Sequence, residues 1–338
     1  MQRTSSRSGS RTLSIGGATF DVFVTVDAAT VETDGAHALR LPLGSKMPVS
    51  KVVQTCGGGA CNTAVGLARL GCAAAFEGVV SSDQWGEQLL TTLQKEGVNT
   101  TAATIVEGET SSFSIILSSP SGERVILYDP AGNRHLHDAV FDRDMVATMD
   151  WVYLNHIHEQ SCVIEDDLVN ILGSDLRPGL TWNPGGAHIR SGLAQASNTA
   201  LAARTTLMLL NKEEALDFTG KRTVTEAIHA LLAAGVQNVC VTDGKRGVTA
   251  SDGTTICTCP TLPVPVVDTT GAGDAFGTAA TWALLQGMDL PNVLKAGTIN
   301  ASSVVGRIGA QAGLLTNTDM QRRLQEIALT VSSTPLSS

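Results

Sequence analysis

Aromatic side chains are scarce, at 4% of the 338 residues, which sets aside an aromatic-rich β-sandwich. Charged residues are few as well, at 16%, while 43% are hydrophobic and 34 are glycine. That balance excludes a disordered chain and fits aliphatic strands with closely packed helices. Basic residues are outnumbered, 23 against 32, and the net charge of −9 argues against a binder of the nucleic-acid backbone. No apolar run approaches the roughly 18 residues of a membrane span, so no transmembrane helix is expected. No Gly-x-x-x-x-Gly-Lys-[Ser/Thr] string occurs, which rules out a P-loop kinase. Cysteine is present but odd in number, at positions 56, 61, 72, 162, 240, 257 and 259 within apolar segments. Buried thiols in a reducing compartment are expected rather than a disulfide framework, and the chain reads as cytoplasmic.

Residues 1–12, MQRTSSRSGSRT, are basic, Ser-rich and free of acid. The composition is that of a transit peptide, but no apolar stretch follows, and the segment reads as a disordered tail. From residue 13 onward strands and helices alternate. Residues 13–15 open a strand that runs into Gly16-Gly17, and 62–70 read as a helix ended by Gly71. An apolar strand at 73–80 precedes a helix at 83–96. Strands at 112–117 and 124–128 flank Pro120-Ser121-Gly122-Glu123, a hairpin signal. Short β runs at 151–154, 179–182, 207–210 and 238–241 are separated by helical patterns at 166–172, 192–203 and 224–234.

This alternation implies a mainly parallel sheet covered on both faces, a three-layer αβα fold. Such sheets bind ligands beyond the carboxyl ends of their strands. Residues 35–55 are short β-like pieces rich in Gly, Pro and Lys. With the rest of 20–55 and with 109–130 they read as a small β flap over the site. Residues 13–330 form a single domain, and 331–338 read as a tail.

The string Asp268-Thr269-Thr270-Gly271-Ala272-Gly273-Asp274-Ala275-Phe276 carries the chemistry. An apolar β run at 265–267 enters a Gly-rich turn, and an apolar-periodic helix follows at 275–285. Glycines let the amides of 271–273 point outward, and a helix N-terminus adds partial positive charge. Together they make an anion hole suited to developing phosphoryl charge. Asp274 sits in the first turn beside it. A lone Asp there would merely favour the helix dipole, a plainer reading that the surrounding string outweighs.

In this string the chain resembles the PfkB, or ribokinase-like, carbohydrate kinases, and the resemblance spans roughly residues 13–316. It implies the ribokinase-like fold with a β lid, and ATP-dependent phosphorylation of a primary hydroxyl of a sugar or nucleoside. It also implies that Asp274 is the catalytic base and that Gly271, Ala272 and Gly273 form the anion hole. Gly57-Gly58-Gly59-Ala60-Cys61-Asn62 is similar to the family's Gly-Gly-x-x-x-Asn stretch, which holds sugar hydroxyls. Gly58 there allows close approach to the backbone, and the Asn62 amide both donates and accepts. Asp21 resembles the family's early sugar-binding Asp, and Glu159 lies where some ribokinases place a sugar-binding Glu. Ribokinases carry Lys where this chain has Gly59, which leaves the sugar open.

For the nucleotide, Thr242-Asp243-Gly244 resembles the family's Thr-x-Gly loop, so Thr242 and Gly244 are expected to contact ATP. Asn300 is placed to border the adenine, with a mid-helix Asn satisfying a turn as the alternative. Asn211-Lys212-Glu213-Glu214 resembles the Asn-x-x-Glu stretch that organises Mg²⁺ through water. A solvated helix start is the alternative for Asn211 and Glu214. Residues 307–313, with Asp268 and Thr270, lie where relatives hold a monovalent cation, which leaves K⁺ dependence open. Arg124 is placed to swing over the phosphates from the flap, whose closure would exclude water. Related flaps pair between subunits, which implies a homodimer through the lid.

Other constellations favour plain readings. His156-x-His158 and His135-x-His137 lack a third ligand at standard zinc spacing, and Cys257-x-Cys259 reads as two packed thiols. Gly271-x-Gly273-x-x-x-Gly277 has one residue too many for a dinucleotide fingerprint, which disfavours an oxidoreductase. A nucleoside or vitamin kinase of the same superfamily stays open, as does a non-catalytic sugar-sensing relative. The intact Asp274 and Asn211/Glu214 argue against the latter.

Overall fold

Strand residues alternate between two apolar clusters, and this alternation creates the layers. The computed structural model describes residues 9–26, 30–33, 36–118, 124–137, 142–157, 162–173 and 178–336. Trp151, Tyr153, Leu207 and Leu209 enter one cluster, whereas Val152, Leu154, Met208 and Leu210 enter the other. Successive side chains of a strand point to opposite faces. A strand that is apolar at every position therefore needs cover on both. Helices Gly59–Arg69, Ala272–Leu285 and Leu290–Val304 supply one cover. Helices Cys162–Leu172, Ala196–Ala202, Lys212–Thr219 and Val224–Ala233 supply the other.

Among the described residues the large sheet has nine strands. Its parallel part runs in the order Ala73–Glu77, Arg11–Ile15, Trp151–Leu154, Gly179–Trp182, Leu207–Asn211, Asn238–Thr242. Val248–Ser251, Thr255–Cys259 and Ser332–Pro335 continue it in antiparallel register. The expected three-layer α/β architecture is the observed one.

A smaller sheet, ordered Arg124–Asp129, Phe113–Ser118, Thr19–Val26, Val49–Gly57, stands over one end. Phe20 and Phe113 pack on Trp85, at ring-centroid distances of 6.1 and 4.8 Å. The neighbouring Asp21 and Ser114 face the opposite way, into a cleft. Of the hairpin signal, residues 120–123 lie outside the described residues. Among those described, no helix is long and apolar enough to cross a membrane.

Four expectations need correction. The first strand begins at Arg11, so residues 11 and 12 belong to the sheet rather than to a tail. At the other end Ser332–Pro335 is an edge strand, because Thr255–Cys259 offers it an unpaired ladder. Residues 265–267 are not a strand: Val266 and Val267 are each 57% exposed, and β-branched residues form strands only where a partner surface exists. The helix expected over 192–203 is two, Gly186–Ser191 and Ala196–Ala202, broken at Gly192 with φ +76°. The helix Leu290–Val304 is capped by Asp289, and Pro291 fits its first turn.

Small residues let the helices approach the sheet and each other. A Cβ at Gly66 would lie 2.6 Å from Thr278 Cγ2, and one at Gly297 2.6 Å from the Phe276 ring. At Gly277 it would collide with the Tyr153 hydroxyl. Gly277→Ala is therefore expected to lower unfolding free energy by about 1–3 kcal/mol, the usual cost of overpacking. Urea denaturation measures it, and a wild-type midpoint would show that the helix backs away freely.

Candidate active site

The helix Ala272–Leu285 starts at Gly271, whose φ of +75° lies in the left-handed region. A side chain there would be strained by the backbone and would also meet Ala310, with a Cβ 2.7 Å from its Cα. Gly273 is different, since nothing lies within 4 Å of where its Cβ would be. Of the first-turn amides, that of Ala272 donates to Thr269 O at a long 3.3 Å, while the backbone at Gly273 borders open space. The helix Gly59–Arg69 begins in the same manner, at Gly58 with φ +89° and with Gly17 O 2.6 Å from a would-be Cβ.

The Gly-rich turn is the wall between two clefts. One, of about 230 Å³, is lined by Asp21, Gly58, Asn62, Ser114, Thr270, Gly271 and Asp274, with Ile116, Ile126 and Tyr128 of the flap. The other, of about 520 Å³, is lined by Thr242, Gly244, Lys245, Val264, Val266, Thr269, Ala272, Gly273, Phe276 and Ser302. Gly271 and Asp274 face the first, Ala272 and Gly273 the second. The smaller cleft is polar at its floor and apolar at its flap; the larger is mostly apolar.

Two carboxyls of the smaller cleft share an unusual environment. Asp274 Oδ2 accepts a hydrogen bond from Asn62 Nδ2 at 2.8 Å. Burial nonetheless pushes its carboxyl up to about 6, against the lowering effect of that bond. Asp21 is 7% exposed. Burial raises it to about 6 as well, with the negative charge of Asp268 adding and the hydrogen bond from Ser114 opposing. Both groups are therefore poised for proton exchange near neutral pH.

Asp268 sits behind the turn and is buried. Burial works against its charge. Hydrogen bonds from Gly309 N at 3.0 Å, Thr270 N at 3.0 Å, Thr270 Oγ1 at 2.7 Å and the Arg124 guanidinium outweigh it, and the carboxyl falls below its ordinary value. Arg124 also donates to Thr269 Oγ1 at 3.2 Å. Both Asp268 oxygens and the Thr270 hydroxyl are thus engaged, with a guanidinium already neutralising the carboxylate.

Asn211 and Glu214 do not line either cleft. Asn211 Oδ1 accepts from Glu214 N and Glu214 Oε2 accepts from Asn211 N, both at 2.9 Å, a capping box that starts the helix Lys212–Thr219. The two side chains thus start a helix and engage each other's backbone. Among the described residues no group of three or more His, Cys, Asp or Glu could hold a metal ion. Asn300 is also corrected: it is 1% exposed, its Nδ2 donates to Ala275 O at 2.8 Å and its Oδ1 accepts from Leu315 N at 3.1 Å. Its hydrogen-bonding capacity ties two helices and a loop together. Thr298 and Ser302 of the same helix line the larger cleft instead. Glu159 and His158 lie outside the described residues.

Sequence reading missed Ser114, Tyr128 and Gln311. The first two carried a faint signal, because strict alternation along the flap strands assigns them to one face. Gln311 carried none; its side chain meets Asn62 Oδ1, 249 residues away, at 3.1 Å.

Comparison with known proteins agrees with this fold. The pfkB family carbohydrate kinase model matches residues 23–317. The ribokinase of Bacillus subtilis is 28% identical over 312 residues, covering 92% of this chain and 98% of that one. The structure of Arabidopsis thaliana ribokinase complexed with ribose and ATP superposes with a TM-score of 0.79 at 20% identity, over 94% of this chain and 99% of that one. Burkholderia thailandensis nucleoside kinase in complex with inosine gives 0.75 at 18% identity, over 93% and 98%.

The open space at Gly273 yields a test. Gly273→Val is expected to fold, since no protein atom opposes its Cβ, while its methyls enter the larger cleft beside the amides. ATP affinity by calorimetry is expected to fall at least about tenfold, equivalent to about 1.4 kcal/mol. Unchanged affinity would mean that the nucleotide phosphates lie elsewhere.

Proposed function

The chain belongs to the pfkB family of carbohydrate kinases, and we propose that it transfers the γ-phosphoryl group of ATP to a primary hydroxyl of a sugar or nucleoside. The observation that carries this reading is the Gly271–Gly273 turn serving as the shared wall of two clefts, with Asp274 on the smaller side. The acceptor binds in the smaller cleft against Asp21 and Asn62. ATP binds in the larger one along Thr242 and Gly244, its γ-phosphate at the turn. The ribose and inosine bound by the two structural relatives support a small polyol in the smaller cleft.

Chemistry follows from placement. Asp274, ionised above about pH 6, takes the hydroxyl proton as the oxygen attacks the γ-phosphorus and ADP leaves. The first-turn amides of Ala272 and Gly273 disperse the charge that develops on the transferring oxygens, the dominant demand of phosphoryl transfer. Mg²⁺ bound with the ATP phosphates would supply charge neutralisation at the turn, as in other phosphoryl transfers. The flap, tethered to the turn by Arg124, closes to keep water from competing for the phosphoryl group.

The exposed apolar side chains of its edge strand, Val125 and Leu127, support pairing of flaps in a homodimer. Free, mostly buried cysteines support a reducing cytoplasmic setting.

Two measurements test the base. Because the Asp274 carboxyl is raised by burial, it is protonated and inactive at acid pH. The kcat–pH profile is therefore expected to fall on the acid side of about 6 and to plateau above it. A flat profile from pH 5 to 8 would contradict the assignment. Asp274→Asn is expected to lower kcat by about 10²–10⁴-fold, with ATP affinity nearly unchanged and at most about 1 kcal/mol of stability lost from the helix dipole. A folded variant turning over within about threefold of wild type would place the base elsewhere.

A further inference from the structure

Three consecutive residues after the helix Leu290–Val304 touch the Gly-rich turn and its surroundings from behind. Gly309 N donates to Asp268 Oδ2 at 3.0 Å. Ala310 occupies the space that any side chain at Gly271 would need. These two contacts shape the backbone of the turn. The third residue, Gln311, acts on a side chain instead.

Gln311 is 8% exposed, and its Nε2 donates to Asn62 Oδ1 at 3.1 Å and to Cys61 Sγ at 3.3 Å. At the other end of the same amide, Asn62 Nδ2 donates to Asp274 Oδ2 at 2.8 Å. A primary amide has one accepting and one donating end of nearly equal shape. An ionised Asp274 only accepts, and Gln311, donating at the opposite end, reinforces the orientation that turns the Asn62 NH₂ toward it. An inverted Asn62 would set oxygen against carboxylate and NH₂ against NH₂, both repulsive contacts in a buried space. The backbone of Gln311 is itself held in place. Arg69 Nη1 donates to Gln311 O at 2.7 Å and Leu314 O at 3.3 Å, while its Nε and Nη2 form a bidentate pair with Glu96 at 2.9 and 2.6 Å.

We propose that Gln311 is a positioning residue for phosphoryl transfer, which through Asn62 keeps Asp274 ionised and aimed at the acceptor hydroxyl. The role rests on Asp274 being the base. Three other titratable groups lie around that carboxyl: Tyr153 beneath the helix, Cys61 beside Asn62, and Asp21 across the cleft. Burial pushes the Tyr153 hydroxyl and the Cys61 thiol up, so both stay neutral near pH 7. Asp21 does titrate, but its hydrogen bond comes from Ser114 and not from the amide pair.

The test compares Gln311→Met, which preserves length and volume but donates nothing, with wild type and with Asp274→Asn. Gln311→Leu is the second variant if the Met variant does not melt cooperatively. Without the donor, Asn62 no longer presents its NH₂ steadily and the ionised form of Asp274 loses support. Expected are a kcat lowered about tenfold or more and KM for ATP within about threefold. The acid limb of the kcat profile should move up by about half a pH unit or more, the equivalent of one weakened hydrogen bond. A folded variant with wild-type kcat and an unmoved acid limb overturns the proposal. So does a loss confined to melting temperature, with turnover per folded molecule intact. If Asp274→Asn is inactive while Gln311→Met behaves as wild type, the positioning role alone fails. If Asp274→Asn stays active, the assignment of the base fails with it.

Discussion

The hydrogen bond from Asn62 to Asp274 joins the first turns of two helices whose residues stand 212 positions apart in the chain. Each helix starts at a glycine in a positive-φ conformation, Gly58 and Gly271, where a side chain would collide with Gly17 or Ala310 packed against it. The bond opposes a burial that raises the Asp274 carboxyl to about 6. A freely solvated Asp would stay ionised with little affinity for a hydroxyl proton, whereas a buried and unsupported one would stay protonated near neutral pH. Burial with a single donated hydrogen bond lies between these extremes, in the range a general base needs. The small-residue packing of Gly66 on Thr278 brings the two helices close enough for that bond.

A second constraint couples the flap to the same place. Arg124, at the start of the flap's edge strand, pairs with Asp268 and reaches the hydroxyls of Thr269 and Thr270. Asp268 in turn fixes Thr270 and the segment at Gly309. The partly exposed guanidinium meets a carboxylate that is nearly inaccessible, so the contact is stronger than an ordinary surface ion pair. The flap, the Gly-rich turn and the loop behind it therefore form one connected unit.

Much of this was legible in the sequence because the chemistry is packed into neighbours. Gly271 to Asp274 declare turn, helix start and carboxylate within four positions, and Asn62 follows its own glycine run. Alternation of strands and helices gave the layers for the same local reason. What was not legible depends on partners far along the chain. Gln311 and the Arg124–Asp268 pair, 144 residues apart, have no local signature. Asn211 and Glu214 were ambiguous in another way, because an Asn-x-x-Glu spacing suits the observed capping box as well as it suits a metal-organising motif. At Asn300 the sequence shows a polar residue on a helix but not that Ala275 and Leu315 have already satisfied it.

The central claim is that a phosphoryl group crosses the Gly271–Gly273 wall from the larger cleft to an oxygen held beside Asp274. The most direct measurement incubates the protein with ATP and Mg²⁺ over a panel of pentoses, hexoses and nucleosides, follows ADP release, and records the phosphorus NMR spectrum of the product. ADP release is expected to require an acceptor, and the product phosphorus to couple to the two protons of a primary carbon. ADP release at the same rate with and without every acceptor, or an ester on a secondary carbon, would contradict the account.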